Sequence, residues 1–426
     1  MDIINDPEIV SLREALRENA AGGDYYVSDL ILEEDGQTYQ FVDLVMEGGG
    51  TLGIALVGYI YALEQANIRF LSVGGSSVGA IVSLLLACCG KRNEEKGAAL
   101  AEVISSMDMG SFIDGGPFGS LLSKLMGSKL KHKLLLGLLP GLFSSATLLV
   151  TLGLNPGKKF LEWLTNCLSE YGVHTLADAR PIIEYLPENL KHRMFGADFI
   201  RPAAELKLVT ADLTTSSKVV FPEMAPLYWQ NPDTVNPALF ARASMSIPGF
   251  FRPMTVRGVS DIVDSGEKWD TLCSFSGEIP DKITFSDGGL LSNFPISLFH
   301  QPRLPNAPTF GARLGSSSRQ VTEIKSLWSY IKNLFSSLQH CNDYDFIYKN
   351  PAYRHLITYI PTHGHHWLNF YMSDAEKLSL FKNGMHAAYD FLETFDWESY
   401  KEIRREQQSL SRAALQYGSR AKRQNV

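Results

Sequence analysis

The chain is short of positive charge: 39 Lys and Arg face 46 Asp and Glu, for a formal net charge of -7. A general nucleic-acid binder takes most of its affinity from Lys and Arg neutralising phosphates, so no nucleic-acid partner is expected, and any attraction to anionic lipid has to be local. Cysteine is scarce too. Cys88, Cys89, Cys167, Cys273 and Cys341 show neither metal-ligand spacing nor a paired disulfide framework, so buried reduced thiols are expected, with no metal and no cofactor. Internal repeats and low-complexity tracts are absent. The start, Met1-Asp2-Ile3-Ile4-Asn5-Asp6-Pro7-Glu8, is acidic where a signal peptide is basic, and no apolar run follows it; the expected location is the cytoplasm.

What is present is apolar bulk. With 45% hydrophobic and 20% charged residues over 426 positions, the chain can bury a large core. Residues 1–37 read as a peripheral arm with a helix over 9–19 and a strand over 25–32. Residues 40–47 predict a strand that runs into Gly48-Gly49-Gly50, followed by a helix over 54–66. A second strand over 70–74 leads to a helix over 78–89 built of small and apolar residues. This βαβα succession implies an α/β fold with a parallel sheet covered on both faces. Later segments predict helices at 94–107, 160–171 and 237–244 and strands at 205–212, 218–221, 282–286 and 355–360. An amphipathic helix over 373–393 is opened by the capping box Ser373-Asp374-Ala375-Glu376. From 397 the chain turns polar, with Arg404, Arg405, Arg412, Arg420, Lys422 and Arg423, and predicts a solvated helix and a frayed tail.

Three motifs carry chemistry. Gly75-Ser76-Ser77-Val78-Gly79 matches G-x-S-x-G between a predicted strand and helix, the setting in which a strained turn exposes a nucleophilic hydroxyl. The helix beginning at Val78 aims free amides and its positive dipole end at an oxyanion forming there. Gly48-Gly49-Gly50-Thr51-Leu52-Gly53 fits G-x-G-x-x-G and raises a dinucleotide-binding alternative. That alternative needs an acidic residue at the end of the next strand, and 70–74 holds none. In a hydrolase the same glycines leave amides free for an oxyanion. In the third motif, Asp287-Gly288-Gly289-Leu290-Leu291-Ser292-Asn293-Phe294-Pro295, an apolar strand delivers a carboxylate into a glycine turn, within reach of a nucleophile at a neighbouring strand end.

These three motifs, in this order, resemble the patatin-like phospholipase family, as does Ala241-Arg242-Ala243-Ser244-Met245-Ser246-Ile247-Pro248-Gly249-Phe250-Phe251-Arg252-Pro253. The resemblance covers about residues 41–296 and extends toward 392. It implies a three-layer α/β/α sandwich with a mainly parallel central sheet, a catalytic domain over 38–395 and a Ser-Asp dyad. Ser77 is then the nucleophile, Asp287 the general base, and the amides of Gly48, Gly49, Gly50 and Val78 the oxyanion hole. Gly53, Gly75, Gly79, Gly288 and Gly289 support these turns. The family often carries Lys or Arg where this chain has Leu52, which removes a charge from the loop but not its backbone donors. A histidine base in a Ser-His-Asp triad is the chemical alternative, with His300 and the cluster His363, His365 and His366 as candidates.

One stretch stands apart. Lys124, Lys129, Lys131, His132 and Lys133 precede 21 uncharged residues, 134–154, close to bilayer-spanning length. Interrupted by Gly137, Pro140, Gly141, Ser144 and Ser145, it reads as an apolar insertion over about 112–156 that serves as lid, core or peripheral membrane contact. The expected activity is a phospholipase A-type acyl hydrolase acting on membrane phospholipid, held latent until a ligand such as a small-molecule activator switches it. The alternative is a regulated membrane-targeting effector or homo-oligomeric assembly protein, as in bacterial phage defence.

Overall fold

The structure, a computed structural model, describes residues 3–116, 151–316, 321 and 323–409. Helix α1 (Pro7–Gly22) begins where the Asp6 carboxylate accepts the Glu8 amide and ends at Gly23 with φ 80°, a side-chain cap at one end and a left-handed stop at the other. Strands β1 (Leu30–Glu34) and β2 (Gln37–Met46) form a hairpin across Asp35-Gly36, both at positive φ, the turn chemistry that suits the twist of antiparallel strands. From Gln40 onward β2 is buried, as are all of α2 (Gly53–Gln65), β3 (Ile68–Ser76) and α3 (Val78–Cys88). Such uninterrupted apolar runs belong to a sheet covered on both faces.

The chain continues through α4 (Gly97–Ser106), β4 (Gly153–Asn155), α5 (Lys158–Glu170), α6 (Leu176–Ile183), β5 (Lys191–His192), β6 (Leu206–Asp212) and β7 (Ser217–Phe221). There follow α7 (Ala238–Ser244), β8 (Gly249–Phe251), β9 (Met254–Val256), α8 (Ser265–Cys273) and β10 (Ile283–Ser286). Last come β11 (Thr309–Leu314), α9 (Leu327–Lys349), β12 (Ile357–Ile360) and α10 (Asp374–Thr394).

Among the described residues the main sheet runs β12-β11-β2-β3-β6-β10-β9. Its five strands from β12 to β6 are parallel, and β10 and β9 are antiparallel additions. From β2 through α2 to β3, and on through α3 to β6, the chain steps one way across the sheet; from β11 through α9 to β12 it steps the other way. Right-handed crossovers therefore place α2 and α3 on one face and α9 on the other, which makes an α/β sandwich. The direction reverses between β2 and β11. In an open parallel sheet, the crevice beyond the carboxyl ends of the strands at such a reversal is where ligands bind.

Both ends of the chain differ from the expectation. The segment read as a peripheral arm is part of the fold: β1 pairs with β2, and Ile9 and Leu16 of α1 are buried in the main core. The strand expected at 25–32 lies at Leu30–Glu34, because Gln40 ties down the preceding stretch by accepting the Val27 amide and donating to the Tyr25 carbonyl. The stretch from 397 to 409, expected to be solvated, is anchored by Trp397 and Tyr400, both buried, and by Lys401, whose ammonium meets Asp29 at 2.8 Å with both side chains buried. The basic tail beyond 409 and most of the apolar insertion lie outside the described residues. The insertion's end forms β4, which pairs in parallel with β8. Among the described residues no helix is long and apolar enough to cross a membrane.

Candidate active site

Ser77 joins β3 to α3 at φ 53° and ψ -123°, a conformation a serine holds only where its surroundings enforce it. A Cβ on Gly75 would fall 2.6 Å from the Met46 carbonyl oxygen, and one on Gly79 2.4 Å from the same atom. Strand, turn and helix can close on β2 only because both positions lack a side chain. The Ser77 amide donates to Ser244 Oγ at 2.8 Å, and that hydroxyl donates to the Val209 carbonyl at 2.6 Å. Ser244 is a residue that no chemical motif in the sequence pointed to. It gives the Ala241–Pro253 segment a physical task, because the same segment also holds the loop after β10: the Asp287 amide donates to the Ser246 carbonyl at 3.0 Å.

Asp287 follows β10. Its Oδ1 accepts the Gly289 amide at 2.8 Å, while Oδ2 is buried without a hydrogen-bond partner. Burial pushes this carboxyl up to about 6, with the nearby Ser77 hydroxyl and the Gly289 amide opposing the shift. In this conformation the Ser77 hydroxyl lies 3.3 Å from the Met245 sulfur while remaining near enough to Asp287 to hold its pKa down. Both residues open into one cavity of about 1010 Å³, lined also by Gly48, Gly49, Gly50, Leu52, Asn293 and Arg313. The cavity therefore lies at the reversal between β2 and β11, beyond their carboxyl ends.

The glycine loop is partly as expected and partly not. Among the described residues the amides of Gly49, Gly50 and Val78 donate to no protein acceptor, whereas the Gly48 amide donates to the Asn293 carbonyl at 2.9 Å. Gly48 is thus not a free donor, contrary to the sequence expectation. Gly50 turns the chain at φ +58°, with the Trp367 carbonyl so close that a Cβ would overlap it. Gly53 packs against Val78, and Gly288 against the Val209 carbonyl. Leu52 lines the cavity without a charge, as read from the sequence; Arg313 of β11 brings a cation there, paired with Glu47 at 3.1 Å and stacked on Phe294 at 5.1 Å. Burial works against the Arg313 charge, but the Glu47 carboxylate more than compensates and raises its pKa.

None of the candidate histidines lines this cavity. His300 Nδ1 lies 2.9 Å from the Tyr353 hydroxyl, and its ring packs edge-on to Phe346. Of the loop holding His363, His365 and His366, it is the next residue, Trp367, that reaches the cavity. Among the described residues no group of three or more His, Cys, Asp or Glu is arranged to hold a metal ion.

A strained serine, a buried carboxylate with a free oxygen and unpaired amides around one cavity are the equipment of acyl-ester hydrolysis. The patatin-like phospholipase family model matches residues 44–300, and the chain belongs to that family of lipid hydrolases. It is 26% identical over 359 residues, 84% of this chain and all of the relative, to the uncharacterized protein YqhO of Bacillus subtilis. It is also 50% identical over 46 residues to lysophospholipase nte1 of Aspergillus niger, a stretch that is 11% of this chain and 3% of that protein. Among solved structures it resembles VipD from Legionella pneumophila at TM-score 0.43 and 16% identity, over 87% of this chain and 70% of that one. The heterodimeric ExoU-SpcU complex of Pseudomonas aeruginosa matches at TM-score 0.35 and 19% identity, over 83% of this chain and 51% of the matched chain.

Proposed function

We propose that the protein is a phospholipase A-type acyl hydrolase that works at the surface of cytoplasmic membranes through a Ser77-Asp287 dyad. Asp287 Oδ2 takes the proton from Ser77 Oγ as the oxygen attacks the ester carbonyl. The resulting oxyanion is held by the amides of Gly49, Gly50 and Val78. Collapse expels the lysolipid alkoxide, which takes the proton back from Asp287, and leaves an acyl-Ser77 ester that water hydrolyses with Asp287 again as base. The observation that carries this reading is the convergence of Ser77 and a carboxylate lifted to about 6 on one cavity. An aspartate at its usual value near 3.9 is a weak base at neutral pH, and raising it toward the working pH strengthens it as a proton acceptor.

The resting orientation favours a switched enzyme. With the Ser77 hydroxyl against the Met245 sulfur and Asp287 Oδ2 not yet in a well-formed hydrogen bond, an activating ligand or the lipid surface itself has the Ser77–Asp287 contact to tighten. The test is fatty-acid release from mixed phospholipid vesicles by the wild type, Ser77→Ala and Asp287→Ala, together with vesicle flotation to measure binding. Loss of release with binding kept is expected for both variants; full release by Ser77→Ala would sink the assignment.

A further inference from the structure

Asn293 is tied to the glycine loop by three bonds. Its carbonyl accepts the Gly48 amide at 2.9 Å, and its Nδ2 donates to the Gly48 carbonyl at 3.1 Å and to Glu47 Oε1 at 3.3 Å. Because both side-chain partners are acceptors, the group facing them must be the amide nitrogen. The opposite atom, Oδ1, is wedged between two glycines. A Cβ on Gly48 would lie 2.5 Å from it and one on Gly289 2.6 Å, so the carboxamide fills the gap between the glycine loop and the base loop and leaves no room for a side chain at either position.

Every polar group of Gly48 is therefore spoken for by one residue. In a trans peptide the C=O and the following N–H point in opposite directions. Holding the Gly48 carbonyl against Asn293 thus fixes the Gly48–Gly49 plane and sends the Gly49 N–H out of the opposite edge. Without that hold, glycines on both sides of the peptide leave it free to turn over. Building on the hydrolase reading above, we propose that Asn293 is the positioning residue that presets the oxyanion hole, fixing the aim of the Gly49 amide and the gap between that loop and Asp287.

Asn293 is in turn held by α9, which also lines the cavity. Its amide donates to the Gln339 carbonyl of α9 at 3.4 Å, and on either side of it α9 grips the same loop, Asn342 Nδ2 donating to the Leu291 carbonyl at 2.9 Å and Asp343 Oδ2 accepting the Phe294 amide at 2.8 Å. The aim of the hole is thus set by the seating of α9 on the loop after β10.

Asn293→Ala removes the side-chain bonds and keeps the backbone bond to Gly48. The experiment compares it with the wild type on phospholipid vesicles, on a fatty-acyl trifluoromethyl ketone that adds to Ser77, and on a non-hydrolysable diether phospholipid. A positioning role predicts that kcat falls on the order of 10²-fold, the size expected for losing one oxyanion donor, with KM nearly unchanged. Ketone inhibition weakens by a matching factor, and diether lipid binding stays at the wild-type level. The proposal is overturned if kcat stays within about threefold of wild type, or if diether binding weakens as much as ketone binding. Asn293→Ser supplies the same comparison should the alanine variant not fold. Indifference of the wild type to both ester and ketone would overturn the hydrolase reading itself, and this proposal with it.

Discussion

The loop that follows β10 carries a buried carboxylate near each end, and the two are instructive side by side. Asp287 on the loop and Asp343, reaching onto it from α9, are both pushed up to about 6 by burial. Their partners differ. Asp343 spends both oxygens, accepting the Ser292 hydroxyl on Oδ1 and the Phe294 amide on Oδ2, and it does not line the cavity. Asp287 spends one oxygen on Gly289 and leaves the other bare toward Ser77. A raised pKa alone therefore does not distinguish a latch from a base; what does is an unpaired oxygen with access to a reacting atom.

The comparison can be broken most sharply at Asp287. Asp287→Asn should cut fatty-acid release by about 10³-fold or more, as loss of a general base does when no other group takes its place. It should also stabilise the fold. Because the folded pKa lies above the unfolded one, the carboxyl's contribution to stability is fully present below about pH 4 and is lost as pH rises through about 6. The variant's gain, at most about 3 kcal/mol, should thus be larger at pH 8 than at pH 4.5 in urea unfolding. A variant less stable than wild type at pH 8 would contradict the account of its burial.

Asp343→Ala should do the opposite, costing about 2–4 kcal/mol of stability because the Ser292 hydroxyl and Phe294 amide are left buried and unpaired. Activity should fall far less than in Asp287→Asn when both are assayed well below their melting temperatures. A loss as large as that of Asp287→Asn with unchanged stability would make Asp343 part of the chemistry.

Because both carboxylates are pushed up to about 6, the pH profile separates them only when the wild type is compared with Asp343→Ala. Wild-type kcat/KM should rise through an apparent pKa near 6 as Asp287 loses its proton, about tenfold per unit below it. Asp343→Ala should keep that limb, and a limb absent from the wild type would remove Asp287 as the base. The smallest effect is expected at Met245→Leu. Removing the sulfur that now faces the Ser77 hydroxyl should raise basal turnover by about two- to threefold, since only one weak contact is released; a fall would mean that Met245 shapes the site for substrate.

Much of the architecture could be read from local pattern. The strands and helices on either side of Gly48 and Ser77 were legible because their apolar runs are uninterrupted, and α10 because Ser373 and Glu376 form the reciprocal cap anticipated for them. Helix α9 went unread. Its cap pairs Ser326 with Ser329 rather than with a glutamate, a weaker signal, and its sequence mixes serine and asparagine among the apolar residues. Strand β11 was also missed, since Gly311 and Arg313 interrupt its apolar pattern. With them went Arg313, a cation that lines the cavity. The chain ends were misjudged for a related reason: Lys401 looks like a solvated charge until Asp29, far away in sequence, is found buried beside it.

By itself the sequence determined which chemistry was on offer: a serine in a glycine-flanked turn, an aspartate at a strand end, and glycines whose amides no side chain can cover. These are local properties, set by the conformations that glycine permits and by hydrophobic period. Only the tertiary structure decided how they meet. It withdrew Gly48 from the free amides by pairing it with Asn293, set Ser244 beneath the Ser77 amide, brought Arg313 to the cavity, and left Asp287 rather than Asp343 with a free oxygen. Each of those outcomes depends on a partner distant in the chain, and burial and hydrogen-bond competition between such partners are settled only when the sheet is assembled.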